Sequence, residues 1–284
     1  MQLSKQSGIS TYTELILGLP LETLESWKNG FDTVLEMGQH DAIEIWPCQV
    51  LENSELSQFN TRQRYGISTV VAHDYTPFHN KTDYMDISEV VEIISSTNTM
   101  STADIVEAYM YGWMMVQLHI IGYTQLYAKY ARNRLDIPYR KFYDKMFEKL
   151  PNHAFFGPIF SHHQTNIDHY MHHGKFLDQK MNGHTMVPSN FKMIYDHCDQ
   201  AYDLGLDTLQ AFTAETEDID RVQRLFVYGA HLGLPITIGV PWDLDTWQTQ
   251  NSRYQISTKV CIDQQFNFFT TRRNGLLRNI FTRV

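Results

Sequence analysis

Cysteine is scarce in this chain: Cys48, Cys198 and Cys261 are the three in 284 residues. So few scattered thiols exclude a disulfide framework and make a reducing cytoplasm the expected compartment. They also exclude an iron–sulfur cluster or a Cys₄ zinc site held by this chain alone, since either needs close-set thiolates. Basic residues are outnumbered, with 23 Lys and Arg against 32 Asp and Glu and a net charge of −9. That balance argues against a nucleic-acid partner, which requires clustered cations to displace counterions. The first ten residues, MQLSKQSGIS, lack the apolar run of a signal peptide. One stretch, Ile105 to Tyr127, is long enough to span a bilayer. It carries Glu107, Gln117, His119 and Gln125, which are costly in hydrocarbon, so a buried helix is expected and no membrane span. Internal repeats, low-complexity tracts and an HExxH motif are absent.

What is present suits a folded protein. The chain is 43% hydrophobic and 19% charged, enough apolar matter for a full core. Tyr12 to Gly18 reads as a short strand ending in the turn Gly18-Leu19-Pro20. Glu22 to Met37 has apolar residues at Leu24, Trp27, Phe31, Val34 and Leu35, a helical spacing, and Gly38 stops it. Ala42 to Cys48 reads as a second strand, which completes a βαβ unit and hence a parallel pair. Residues 52 to 85 are polar and turn-rich and read as a connection, and Ser88 to Ser96 as a strand. Ser101 followed by Asp104 resembles a helix N-terminus, with one long helix expected from about Thr102 to Tyr130. Further helices are predicted over Tyr139 to Leu150, Asn190 to Tyr202 and Asp218 to His231. A terminal β-hairpin is predicted around Asn274-Gly275, within Phe266 to Val284. Two parallel strands cannot cover a sheet by themselves, so the chain reads as one that begins in mid-domain.

The segment Thr13-Glu14-Leu15-Ile16-Leu17-Gly18-Leu19-Pro20-Leu21-Glu22-Thr23, followed by Ser26-Trp27, resembles the "TELILGLPGET" segment of radical S-adenosylmethionine (SAM) enzymes, in particular those that also carry a cobalamin-binding domain. Gly38-Gln39-His40, Ile43-Glu44-Ile45-Trp46-Pro47-Cys48 and Leu51-Glu52-Asn53-Ser54-Glu55 are similar to that group's next strand and loop. Ser96 to Ser101 and the helix with Trp113, Gln117, Leu118, His119 and Gly122 are similar to its later region. The resemblance covers roughly residues 11 to 150, in the same order. Two departures stand out: Leu21 replaces the family's Gly, and the family's CxxxCxxC motif is missing.

The resemblance implies a fold of class α/β plus α: the last βαβ units of a partial radical SAM (β/α) barrel, a partial TIM barrel, followed by a mostly helical domain with the terminal hairpin. The expected division is 1–60 for the barrel strands, 61–100 for a connection and 101–284 for the helical part. Side chains alternate across strands, so Leu15, Leu17, Ile43 and Ile45 would face the outer helices. Glu14, Ile16, Gly18, Glu44 and Trp46 would face the lumen. The resemblance makes Glu14, Ile16, Gly18, Glu22, Glu44 and Trp46 the expected cofactor-binding residues, the backbone at Ile16 to Gly18 lying against the adenine of SAM. Each has a plainer reading. Glu14 and Glu44 could form barrel salt bridges with upstream cations, Trp46 could be core, and Glu22 could be a first-turn acid favoured by the helix dipole.

Other constellations compete. His153, His162, His163, His169, His172 and His173 cluster, and His169 with His173 would be metal-chelating neighbours if helical. Gly157, Pro158 and the polar run that follows suggest a loop instead, with solvated histidines and no metal site. Cys48, at the C-terminal end of a strand, is the best-placed thiol for a nucleophile; Cys198 and Cys261 have no base beside them. Arg272-Arg273 reads as a solvated edge.

The expectation is therefore a C-terminal fragment of a cobalamin-type radical SAM enzyme, from a truncated gene, an internal start or a split subunit. It would supply the adenine-facing strand and a substrate-side cap, and would not be catalytic alone. The intact family uses SAM, a 4Fe–4S cluster and cobalamin. Its cofactors generate a 5′-deoxyadenosyl radical or carry a methyl group, and the protein positions them. The expected partners are a small-molecule substrate and the missing N-terminal part. The alternative is a non-catalytic accessory or interaction protein, or one half of a split enzyme. A third reading is a His-based metal hydrolase.

Overall fold

The computed structural model describes residues 11–40, 43–73, 90–177, 193–194, 197–217 and 220. The expected terminal hairpin, Cys261, Arg272-Arg273 and, apart from Asp220, the helix expected over Asp218 to His231 lie outside the described residues.

The first strand, β1 (Thr13–Leu17), pairs in parallel with β2 (Ile43–Pro47), with Glu14 beside Glu44 and Ile16 beside Trp46. Helix α1 (Leu24–Glu36) connects them. It starts where the sequence places it because Thr23 and Ser26 cap each other: the Ser26 N–H donates to Thr23 Oγ1 (3.0 Å) and the Thr23 N–H to Ser26 Oγ (2.8 Å). Trp27, Phe31 and Leu35, four residues apart, form its buried stripe.

A second, antiparallel sheet follows in the order β3 (Gln49–Val50), β5 (Val90–Ser96), β4 (Ser68–His73). The short helix α2 (Phe59–Tyr65) precedes β4. The expected connection over 52 to 85 is thus corrected: it carries a helix and a strand. The β-branched run Ser68-Thr69-Val70-Val71 finds its ladder on β5, a long-range partner that local turn composition does not reveal. The expected strand ending at Ser96 is there as β5.

The helical body begins at α3 (Thr102–Met114), with Ser101 and Asp104 capping each other as anticipated. The expected single helix to Tyr130 is also corrected. After Met114 the chain widens into a π-helical segment (Met115–Ile120) and then breaks. Gly122 takes φ +106°, open to glycine without strain, and the Thr124 N–H returns to the Leu118 carbonyl (2.9 Å). Helices α4 (Gln125–Leu135), α5 (Tyr139–Lys149), α6 (Phe156–His173) and α7 (Cys198–Gln210) follow. The loop expected after Gly157 is instead α6. Pro158 lies in its first turn, where a missing N–H costs nothing, and Ile159, Phe160, His163, Ile167, Tyr170 and Met171 bury one face. Of the helix expected over Asn190 to Tyr202, Met193 and Ile194 are helical and residues 190–192 and 195–196 lie outside the described residues; His197 is a turn, and α7 begins at Cys198 and runs past Tyr202 to Gln210.

One continuous core joins these parts, from Leu17 and Ile43 through Trp27, Phe31 and α3 to Leu209. Where α1 meets α3, the Trp27 indole N–H donates to the Ala108 carbonyl (2.9 Å) and Lys28 pairs with Glu107 (2.7 Å). Arg140 fastens α5 to α1: its backbone N–H donates to Asp32 (2.7 Å), and its guanidinium reaches Glu25 (2.7 Å), Asn29 (2.7 Å) and Asp144 (2.6 Å). Among the described residues no helix is long and apolar enough to cross a membrane.

Candidate functional site

The two faces of the β1–β2 pair differ. On one, Leu17 and Ile43 are buried and Leu15 and Ile45 pack against the core. On the other, Glu14 and Glu44 are exposed, Ile16 is 47% exposed and Trp46 is half-buried. Register puts the two carboxylates side by side, and neither has a hydrogen bond or ion pair among the described residues. Like charges on neighbouring strands repel, so this face is suited to a cation or a polar ligand.

At the C-terminal ends of the strands this open face runs into a tight loop. Gly18 turns the chain at φ +94°, and a side chain there would rest on Ile94 and Ile105. Leu21 follows at φ +70° and is 70% exposed. That left-handed conformation suits glycine and strains leucine. Glu22 does not serve as the first-turn acid of α1; that place is Glu25's. Its carboxylate folds back to accept from the Gly18 N–H (3.0 Å), while its carbonyl accepts from Thr99 Oγ1 (2.6 Å). Burial raises the Glu22 carboxyl above its ordinary range, and the Gly18 and Leu19 N–H groups oppose that shift.

Cys48 closes the site. Its N–H donates to the Leu17 carbonyl (2.8 Å) and its carbonyl accepts from Ile94 (3.0 Å), which joins the two sheets. Burial, with the Glu22 charge nearby, pushes its thiol up to about 11, so it stays protonated near neutrality. This is the reverse of what a nucleophilic thiolate needs. The other described cysteine, Cys198, is buried with its thiol likewise raised.

Of the six residues picked from the sequence, Glu14, Ile16, Glu44 and Trp46 share one strand face; Gly18 is buried at its end with its side-chain position against Ile94 and Ile105, and Glu22 locks the loop beside them. The histidines do not assemble in this way. His169 and His173 do lie one turn apart on α6, ring centroids 4.4 Å apart, but His169 Nδ1 bonds to the Lys175 carbonyl (2.8 Å). His172 and His173 are exposed, and His163 packs on Trp113. Among the described residues no three His, Cys, Asp or Glu side chains are grouped to hold a metal ion.

Sequence reasoning missed two polar features of the α3 region. Trp113 Nε1 and both ends of the Gln117 amide are buried without a hydrogen-bond partner among the described residues. At the foot of the pair, His119 in the π-helical segment bonds through Nε2 to His40 Nδ1 (3.1 Å) and through Nδ1 to the Tyr143 hydroxyl. The sequence signals were polarity inside an apolar stretch and the resemblance that includes His40, Trp113, Gln117 and His119, neither of which reveals these contacts.

No protein-family model matches the chain. Over 139 residues, 49% of this chain, it is 35% identical to a 2-(S-pantetheinyl)-carbapenam-3-carboxylate methyltransferase of Streptantibioticus cattleyicolor, a match to 20% of that protein. Over 137 residues, 48% of the chain, it is 33% identical to the cobalamin-dependent radical SAM methyltransferase TokK of Streptomyces tokunonensis, again 20% of that protein. The matched stretch is thus about a fifth of the length of either curated relative. This similarity relates about half of the chain to the cobalamin-dependent radical SAM methyltransferases.

Proposed function

We propose that this chain supplies the SAM-facing end of a partial (β/α) barrel and a helical cap over the substrate in a cobalamin-dependent radical SAM enzyme, with methyl transfer as the reaction class. The observation that carries this reading is the open face of β1–β2, where Glu14, Ile16, Glu44 and Trp46 lead into the Gly18 loop at the C-terminal strand ends. Parallel barrels gather their ligands at that end of the strands. The naming of both relatives as methyltransferases supports the reaction class.

Three cysteines at positions 48, 198 and 261 do not fit a CxxxCxxC cluster site, so the 4Fe–4S cluster is held by another segment, as is cobalamin. SAM, when bound, supplies the group chemistry. The roles left to this chain are positional. Gly18 turns the chain at the end of the strand, Ile16 and Trp46 offer apolar surface to a flat ring, and Glu14 and Glu44 receive cationic or hydrogen-bond-donating groups. Glu22 fixes the loop that shapes this wall.

The test is to identify the polypeptide carrying CxxxCxxC, in frame upstream or in a neighbouring gene, and to purify it anaerobically with this chain. The joined parts are expected to consume SAM while this chain alone does not. Ile16→Arg should abolish that activity without altering unfolding of this chain alone. Full activity of the joined Ile16→Arg variant, or of the CxxxCxxC polypeptide without this chain, would overturn the reading.

A further inference from the structure

Two histidines at the end of α6 meet the condition for a chelating pair. Their segment is helical, and His169 and His173 stand four residues apart in its last turns, with ring centroids 4.4 Å apart. We propose that this pair is a binding site for one divalent transition-metal ion of the copper, nickel or zinc kind. The site is separate from the Gly18 loop and does not rest on the function proposed for that loop.

The state of the ring nitrogens is the first reason. His169 Nδ1 lies 2.8 Å from the Lys175 carbonyl oxygen. A carbonyl only accepts, so Nδ1 carries the proton and the neutral ring keeps its lone pair on Nε2. The bond that takes one nitrogen out of coordination thus readies the other. A backbone carbonyl behind the ring is a common outer support of metal-binding imidazoles. His173 is exposed and has no hydrogen bond among the described residues; its ring meets those of His169 and His172. Two nitrogens on one such ion sit roughly 3 Å apart. Rings this close reach that separation by rotation about their side-chain bonds.

The second reason is that the support is held in place. Gly174 ends α6 at φ +69°, and a side chain there would collide with the Val71 carbonyl oxygen. Two residues on, the Phe176 ring stacks on Tyr170, 4.3 Å between centroids and 3° between planes. The Lys175 carbonyl is therefore fixed between two packed residues, and His169 with it. Ile167, Tyr170 and Met171 anchor the same turns of α6 in the core. Ligands set on a rigid element before the ion arrives cost little ordering entropy.

The third reason is electrostatic. His173 is the last residue of α6, where the backbone carbonyls form the negative end of the helix. Asp168, exposed, adds a carboxylate one residue before His169. Imidazole nitrogens select copper, nickel and zinc over Mg²⁺ and Ca²⁺, which take oxygen ligands. Among the described residues no third metal-binding side chain is grouped with the pair, so water takes the remaining positions on the ion.

The experiment is calorimetric titration of the full chain with Cu²⁺, Ni²⁺, Zn²⁺ and Mg²⁺ chlorides in a buffer that does not chelate. A saturable event is expected that is tightest for Cu²⁺, weaker for Ni²⁺ and Zn²⁺, and absent for Mg²⁺. His173→Gln and His169→Gln should each weaken the tightest Cu²⁺ event about a hundredfold, because the second nitrogen binds at the effective concentration set by the first. His172→Gln, which leaves the pair intact, should not change it. His173 is exposed, so its variant folds as the parent does, which circular dichroism checks. An unchanged tightest Cu²⁺ event in His173→Gln, an equal loss in His172→Gln, or Mg²⁺ binding as tight as that of Zn²⁺ would overturn the proposal.

Discussion

The two faces of the β1–β2 pair have the same length and register yet opposite physics. One carries Leu15, Leu17, Ile43 and Ile45 into a core shared with α1 and α3; the other presents two carboxylates, an isoleucine and a tryptophan outward. Strand alternation alone separates them. The free energy that holds the unit together comes from the covered face, and the open face contributes almost nothing to stability. Groups there are left to recognise something else.

The largest test of this contrast is Phe31→Ala, beneath the covered face. It should cost about 3–5 kcal/mol in urea unfolding, whereas Ile16→Ala on the open face should stay within about 0.5 kcal/mol; comparable losses at both would break the distinction. Next comes acidification of the covered side. Burial holds His119 well below its ordinary value and pushes His163 down to about 4, so both are neutral when folded. Unfolded, they take up protons below about pH 6.5. Stability is therefore complete above that pH and falls as pH drops towards 4, by up to about 3 kcal/mol for His163 alone, read from unfolding midpoints at a series of pH values. A smaller effect of opposite sign is expected at the loop: Leu21→Gly should stabilise by about 1 kcal/mol by relieving the left-handed backbone. The smallest is on the open face itself. Glu44→Gln should stabilise by a few tenths of a kcal/mol, less at high salt, because it removes the repulsion from Glu14.

How much of this was legible depends on whether the signal was local. The βαβ unit was readable because alternation, helical spacing and the Thr23 and Ser101 caps are written within a few residues of each other. The shared face of Glu14, Ile16, Glu44 and Trp46 follows from the same alternation. Leu21 was visible as an exception to the motif, though its φ was not. What escaped was set by distant partners. Strand β4 exists through β5, and the His40–His119 contact joins residues on separate elements. Helix α6 was hidden because its polar histidines and Asn166 overshadow a single apolar stripe. The π-helical segment and the break at Gly122 interrupt a stretch whose composition is uniformly helical.

Trp27 gives the molecule an optical gauge of its own assembly. The ring lies edge-on to Phe31, 5.4 Å between centroids, with its N–H spent on Ala108 of the neighbouring helix. An indole so shielded emits at short wavelength, and lifting the first strand–helix–strand unit off α3 would wet it and redden the glow. Subtracting the spectrum of a Trp27→Phe chain isolates that signal, so seating of this unit can be followed apart from melting of the remaining helices.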